Sequence, residues 1–322
     1  MTSLRNINLD SRNTLANQLS GKNLTKAEAR SLINNVINNH DSLWRDNKKE
    51  SKPEKKKWVR SAHKTDLGKL LKLIDVKVLA PLDSSLPSFI FGGRKGMSNV
   101  TAAKHLLGYE KERTLLALDI TRFFESVEMD AIEKFYRSKG CSPKISKILS
   151  KLSCVRRGPK EDPENIYSLA RGFSTSTRLA VWSNIIAFYK IYNLIMKRLK
   201  GYDPRMAIFI DDIGISASRV PRELLSSLEE EVNDILKSES RGTLKLNDGK
   251  TKIMDFTEGI QHLGVVLNRN KLVLPTDLRS KFDWLKYKAR TTGLEKYRKR
   301  KDGYRSYEGS LRKANRENSN ML

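Results

Sequence analysis

Asp211 and Asp212 stand side by side between two apolar runs, Met206 to Ile210 and Ile213 to Ala217, in a stretch that reads as a tight hairpin with carboxylates at its tip. Hairpin tips usually carry Asn-Gly or Asp-Gly, so two adjacent acids flanked by strand formers call for another explanation. Neighbouring anions repel unless a positive charge lies beside them, and a divalent metal ion is the commonest such partner. A third acid fits the same chemistry. Thr114-Leu115-Leu116-Ala117-Leu118 reads as a buried strand that ends in Asp119, where an open sheet places its ligands. Three aspartates on neighbouring strand ends can hold two Mg²⁺ ions roughly 3.5–4 Å apart, the arrangement that stabilises the attacking and leaving oxygens of phosphoryl transfer.

The order of a strand ending in Asp119-Ile120-Thr121-Arg122-Phe123-Phe124, a Gly-containing segment leading into a helix, and an Asp-Asp hairpin resembles the palm of reverse transcriptases. Most similar in pattern are the prokaryotic ones: the retron, group II intron-like and defence-associated enzymes. The resemblance runs from about residue 52 to about residue 290. It implies Asp119, Asp211 and Asp212 as catalytic metal ligands, joined by Ile120 beside the metal and the nucleotide, with two Mg²⁺ as cofactors and Mn²⁺ able to substitute. It implies Phe124 as the ring beneath the incoming sugar, a gate against a 2′-hydroxyl. Read without the family, Phe123 and Phe124 are simply core aromatics.

Leu169 to Leu179 falls where the family carries Pro-Gln-Gly-x-Pro-x-Ser-Pro-x-Leu. Gly172, Ser176 and Leu179 match, while Arg171 stands in place of Gln and Val181 in place of Asn. Gly172 is expected where backbone approaches the nucleotide closely. Phe209-Ile210-Asp211-Asp212 corresponds to the relatives' Tyr-Ala-Asp-Asp, which places Phe209 near the nucleic acid. Leu246-Asn247-Asp248-Gly249-Lys250-Thr251 resembles Asn-x-x-Lys-Thr, whose lysine is thought to protonate departing pyrophosphate, a role for Lys250. His262-Leu263-Gly264-Val265-Val266 resembles the primer-grip hairpin, and Thr101-Ala102-Ala103-Lys104-His105 resembles the retron Asn-Ala-x-x-His element with Thr for Asn.

Charge points to a polyanionic partner independently. Sixty-two Lys and Arg stand against 37 Asp and Glu, a formal net charge of +25 in 322 residues. Residues 279–322 alone carry 14 basic against 5 acidic residues, interleaved with Phe282, Trp284, Tyr287, Tyr297, Tyr304 and Tyr307. Such a surface can neutralise phosphates while rings stack on bases, and its densest run, Arg298-Lys299-Arg300-Lys301, is the candidate nucleic-acid contact. A second basic run spans Lys48 to Arg60, where the relatives' fingers meet the triphosphate; Lys57 and Arg60 are the candidates there. No apolar stretch approaches 18 residues and no signal-peptide pattern opens the chain, so a soluble, intracellular protein without membrane contact is expected, and the resemblance to prokaryotic enzymes implies the bacterial cytoplasm. Cys141 and Cys154 lack metal-ligand spacing, and His40, His63, His105 and His262 are dispersed, which argues against a zinc site or a disulfide framework.

The expected fold is α+β, a right-hand polymerase with a helical N-terminal extension (1–50), fingers (51–112), an RRM-like palm (113–268) and a short, basic, helical thumb and tail (269–322). Thr25 with Glu28 makes a capping box at the start of a helix. Ser126 is expected to cap a helix reaching about Ser138, and Thr177 to Lys200 to form one long amphipathic helix. A surface loop is expected from Arg156 to Asn165. The implied function is an RNA-directed DNA polymerase acting on a dedicated structured non-coding RNA in anti-phage defence. Its partners would be that RNA, the DNA product, dNTPs, and an effector protein or a second copy of the chain. Two alternatives stay open: untemplated or repeat synthesis by the same fold, and a catalytically inactive palm-derived RNA-binding protein. Phe124 and Ile210 disfavour an RNA-dependent RNA polymerase.

Overall fold

The computed structural model describes residues 5–108 and 112–319. The chain opens with helices α1 (Arg12–Leu19) and α2 (Lys26–Asn39), then a short strand β1 (Arg45–Asp46) that pairs with β2 (Arg60–Ser61) ahead of α3 (Asp66–Ile74) and α4 (Asn99–Leu107). The capping box at α2 forms: Glu28 N–H donates to Thr25 Oγ1 and Thr25 N–H to the Glu28 carboxylate.

The central sheet is built from β3 (Arg113–Asp119), β6 (Arg205–Phe209), β7 (Asp212–Ser218) and β8 (Lys252–Asp255), antiparallel in the order β6-β7-β3-β8. Both faces are covered, so the strands read as almost unbroken apolar runs. Alternation along the strands assigns the faces. Leu116, Leu118, Ile208, Ile213 and Ile215 point into the larger core, while Leu115 and Ala207 point into a second core built with α4 and the C-terminal elements. Asp119 and Asp212, cross-strand partners at the ends of β3 and β7, share the second face with Ala117, Gly214 and Phe209. The segment 89–92 meets β6 in a single parallel bridge at Ile90 and Ile208: Ile208 N–H donates to Phe89 O at 2.9 Å, and Phe91 and Gly92 N–H donate to Ile208 O.

Against the larger face pack α5 (Phe123–Ser126), α6 (Met129–Ser138), α7 (Pro143–Ser153), the hairpin of β4 (Cys154–Arg156) with β5 (Tyr167–Leu169), α8 (Ser176–Ser183), α9 (Ile185–Arg198) and α10 (Arg222–Glu239). Two helix expectations are corrected here. Ser126 ends α5 instead of capping a longer helix, because its hydroxyl donates back to Thr121 O and Val127 is extended; α6 starts after Glu128. The single helix expected from Thr177 to Lys200 is two, bent by 57° at Asn184. Ser183 Oγ and Asn184 Nδ2 each donate to the carbonyl four residues back, Leu179 O and Ala180 O, and so compete with the backbone ladder at the bend. The expected loop after Arg156 is present between β4 and β5. Cys141 and Cys154 are both buried free thiols.

The chain finishes with the meander β9 (Ile260–His262), β10 (Val265–Asn268) and β11 (Lys271–Val273), followed by α11 (Thr276–Thr292) and α12 (Glu295–Ser319), which turn on Gly293 at φ +63°. The end of α12 returns to the body. The Asn315 side-chain amide accepts from Leu272 N–H and donates to Leu272 O, adding a rung to the edge of β11, and Lys104 of α4 pairs with Glu317 at 2.6 Å. Among the described residues no single helix is long and apolar enough to cross a membrane.

Candidate active site

Phe209 pairs with Asp212, so the β6–β7 turn consists of Ile210 and Asp211 alone. Ile210 takes φ +64° while Asp211 does not enter the positive region, the sign pattern of a II′ turn with a β-branched residue where glycine is usual. Only Asp211 therefore sits in the turn; Asp212 already belongs to β7 and faces Asp119 across the ladder. Two contacts brace the turn. Ile120 N–H donates to Asp211 O at 2.9 Å, and Gly92 lies against the backbone of Ile210 and Phe209 with no room for a Cβ.

Asp119 and Asp211 raise the proton affinity of Asp212, and Asp119 raises that of Asp211. Burial pushes the Asp212 carboxyl up to about 7, helped by the charges of Asp211 and Asp119, while Lys250 and Lys57 pull it the other way. Asp211 is also raised, first by burial and then by Asp119, against the pull of its own backbone N–H, Arg171 and Lys57. Three hard oxygen donors that repel one another at the end of a sheet suit a divalent cation. The residues thus fit such an ion by charge and donor chemistry. Their side chains are not drawn together for one, and among the described residues no three His, Cys, Asp or Glu groups close to metal-ligating geometry. Instead Lys250 Nζ sits 2.7 Å from Asp119 Oδ1, while Asn247 N–H donates to Asp119 O at 2.8 Å. A lysine delivered by the turn before β8 supplies the positive charge, reaching across 131 residues of sequence.

A cavity of about 690 Å³ opens beside this group, lined by Asp119, Asp212, Lys250 and Phe209 together with His262, Leu263 and Gly264. The β9–β10 turn is Leu263-Gly264, both at positive φ (+54° and +73°), the signature of a I′ turn. Its carbonyls are anchored from two distant elements: Asn99 Nδ2 of α4 donates to Leu263 O at 2.8 Å, and Tyr307 Oη of α12 donates to Gly264 O at 3.2 Å. Asn99 Nδ2 also lies 3.0 Å from Tyr307 Oη, which closes the network. His262 is buried over Gly214, and burial pushes its imidazole down to about 4, so it is neutral near pH 7.

Other candidates fall elsewhere. Arg60 is corrected outright: it is 3% exposed, ion-paired with the equally buried Asp46, bonded to the carbonyls of Arg156 and Gly158, and set over the Trp44 ring. It holds β2 to the β4–β5 hairpin and is not available to a triphosphate. Gly172 has a scaffold reason for its identity. At φ +100° it sits against Arg60 O, where a Cβ would collide. Lys57 is partly exposed and acts electrostatically on both Asp211 and Asp212. Phe124 is buried beneath the Arg171 guanidinium, 4.7 Å from its ring centroid. The run Arg298 to Lys301 does not line the aspartate cavity and divides by helical phase. Arg298 and Lys301 line a separate 300 Å³ cleft with Lys286, Arg290 and Arg305, whereas Lys299 pairs with Glu295. Reasoning from sequence missed the bracing roles of Gly92, Asn99, Asn247 and Tyr307. Asn247 carried a signal as the first residue of the Asn-x-x-Lys-Thr segment, and Tyr307 stood out only as one ring of the basic C-terminal stretch.

No curated protein matches this chain. Among solved structures, telomerase from Candida albicans, determined in complex with a TWJ fragment of telomeric RNA, superposes with a TM-score of 0.38 at 11% identity. The match covers 67% of this chain and 42% of that one, so the chain spans under half the length of that structure. The model of the reverse transcriptase (RNA-dependent DNA polymerase) family matches residues 47–267, which include the whole aspartate sheet and the β9–β10 turn. The chain belongs to the reverse transcriptase family and has its α+β, right-hand polymerase fold.

Proposed function

We propose that this chain is an RNA-directed DNA polymerase of the prokaryotic retron-like and defence-associated kind, making DNA on a dedicated structured non-coding RNA in anti-phage defence within the bacterial cytoplasm. The observation that carries the polymerase reading is the cross-strand pairing of Asp119 with Asp212, with Asp211 in the adjoining turn, at the mouth of the 690 Å³ cavity. The subtype rests on the resemblance of Thr101 to His105 to the retron element. In this reading residues 1–50 are a helical N-terminal extension, 51–112 the fingers, 113–268 the palm with its aspartates, and 269–322, with α11 and α12, the basic thumb and tail.

Asp119, Asp211 and Asp212 would hold the Mg²⁺ ions, which when bound activate the primer hydroxyl and neutralise the departing pyrophosphate. The chain's own groups do the rest. The anchored Leu263-Gly264 turn lines the same cavity as Asp119 and Asp212, where a primer end would rest. Lys57 offers positive charge to the triphosphate from the fingers side, and Phe124 restricts the sugar. Lys250, now on Asp119, is free to turn to the leaving phosphate once another cation neutralises that carboxylate. Rate then comes from positioning and electrostatic stabilisation of the reacting groups.

The test uses the full chain with its co-purifying RNA, Mg²⁺ and labelled dNTPs. Incorporation is expected, and it should vanish in the Asp211→Ala, Asp212→Ala double variant. No incorporation, or incorporation that survives the double substitution, ends the proposal. Sequencing the product reads the template: a heteropolymer complementary to the bound RNA is expected, and a homopolymer would mean untemplated synthesis.

A further inference from the structure

Arg171 stands where the family carries Gln, and its surroundings in this chain are specific. Its Nε and Nη2 donate to the two oxygens of Glu125 at 3.0 and 3.1 Å, a two-point fork that fixes the plane of the guanidinium. Its backbone is fixed as well, because Arg171 O accepts from Arg60 N–H of β2 at 2.7 Å and Gly172 follows in a conformation reserved for glycine. Held at both ends, the guanidinium carbon lies over the Phe124 ring at 4.7 Å. Glu125 and Phe124 are consecutive residues of α5, so one helical turn supplies both the anchor and the ring that the anchored group covers. The same arginine is felt by Asp211, which places the stack within electrostatic reach of the carboxylates.

We propose that Arg171 is a positioning residue for sugar discrimination: clamped by Glu125, it pins the Phe124 ring in the orientation that excludes a ribose 2′-hydroxyl. This rests on the reading of Phe124 as the sugar gate. A ring rejects a hydroxyl only if it cannot swing aside. Phe124 has Phe123 as an aromatic neighbour at 6.0 Å, and the guanidinium over its face adds a cation–π attraction that the ring would have to break to swing aside. A glutamine at 171 could neither fork onto Glu125 through two parallel N–H groups nor offer a cation to the ring.

The experiment measures kcat/KM for a dNTP and for the matching rNTP on one RNA template-primer, with the full chain, in wild type, Arg171→Gln, Arg171→Lys, Glu125→Gln and Phe124→Ala. Arg171→Gln and Glu125→Gln are expected to lower the dNTP-to-rNTP ratio by about 2- to 30-fold. Arg171→Lys should fail to restore it, because a lysine keeps the charge without the fork. Phe124→Ala should lower the ratio further. A ratio unchanged in Arg171→Gln while Phe124→Ala lowers it overturns the inference alone. A ratio restored by Arg171→Lys also overturns it, since charge without a plane would then suffice. A ratio unmoved by Phe124→Ala overturns the gate reading and this inference with it.

Discussion

Gly92→Ala is the sharpest test of how the catalytic turn is held. Gly92 is not in the positive-φ region, so alanine suits its backbone and the perturbation is one methyl group. That methyl would lie 3.0 Å from Phe209 C, 2.9 Å from Ile210 Cγ1 and closer still to Ile210 N, whereas ordinary contact starts near 3.4 Å. Two of the three obstacles are backbone atoms, which cannot rotate away. The glycine cannot retreat easily either, because Phe91 and Gly92 N–H are bonded to Ile208 O at 2.9 and 3.2 Å. The β6–β7 turn must therefore move by about 1 Å, carrying the Asp211 carboxylate with it. A misplacement of that size costs on the order of 100-fold in rate, and overpacking of this kind costs about 1–3 kcal/mol in stability. Steady-state dNTP incorporation at 25 °C should show a fall in kcat of about two orders of magnitude. Gly140→Ala is the control: at φ +82° its added methyl would meet Asn8 and not the catalytic turn, so it should lower the melting temperature and leave kcat of the folded enzyme intact. A folded Gly92→Ala enzyme with kcat within about threefold of wild type would refute the argument that the turn is positioned by this contact.

Two further outcomes follow from the charges. Asp212 has a folded pKa raised from 3.8 to about 7, so its contribution to stability is present below the unfolded value and is lost as pH rises through about 7. Without divalent metal, Asp212→Asn should be more stable than wild type at pH 8, by about 1–2 kcal/mol once solvent screening has reduced the ceiling of about 4 kcal/mol. Denaturant melts in chelator should show the two proteins converging near pH 4, and a variant no more stable at pH 8 contradicts the buried repulsion. Arg60→Ala leaves Asp46 buried without its cation and should cost about 3–5 kcal/mol in unfolding free energy. A variant of wild-type stability with a raised KM for dNTP would instead restore Arg60 to the nucleotide site.

Local signals were readable wherever the cause is local. The strand ending at Asp119, the hairpin around Asp211 and the Thr25 cap all follow from alternation, turn length or a three-residue spacing, and the structure has each of them. The helix from Thr177 failed at Asn184 because apolar periodicity continues across the bend, while the hydrogen bonds that break it come from two polar side chains whose rotamers no pattern reports. Arg60 read as a free cation for the same reason, since its run is basic and its buried partner lies on another strand.

The amino-acid order by itself determined which groups are acidic, where strands and turns can form, that Asp119 would end its strand and that Asp211 and Asp212 would lie at a hairpin tip; that the turn is Ile210-Asp211, with Asp212 already in β7, came from the structure. Only the tertiary structure decided that Lys250 meets Asp119, that Arg171 covers Phe124, that Asn99 and Tyr307 anchor the Leu263-Gly264 turn, and that Gly92 wedges the catalytic one. The physical reason is range. Propensity and periodicity act within a few residues, whereas these contacts join residues up to 208 apart, and they exist because two cores of fixed shape bring their surfaces together.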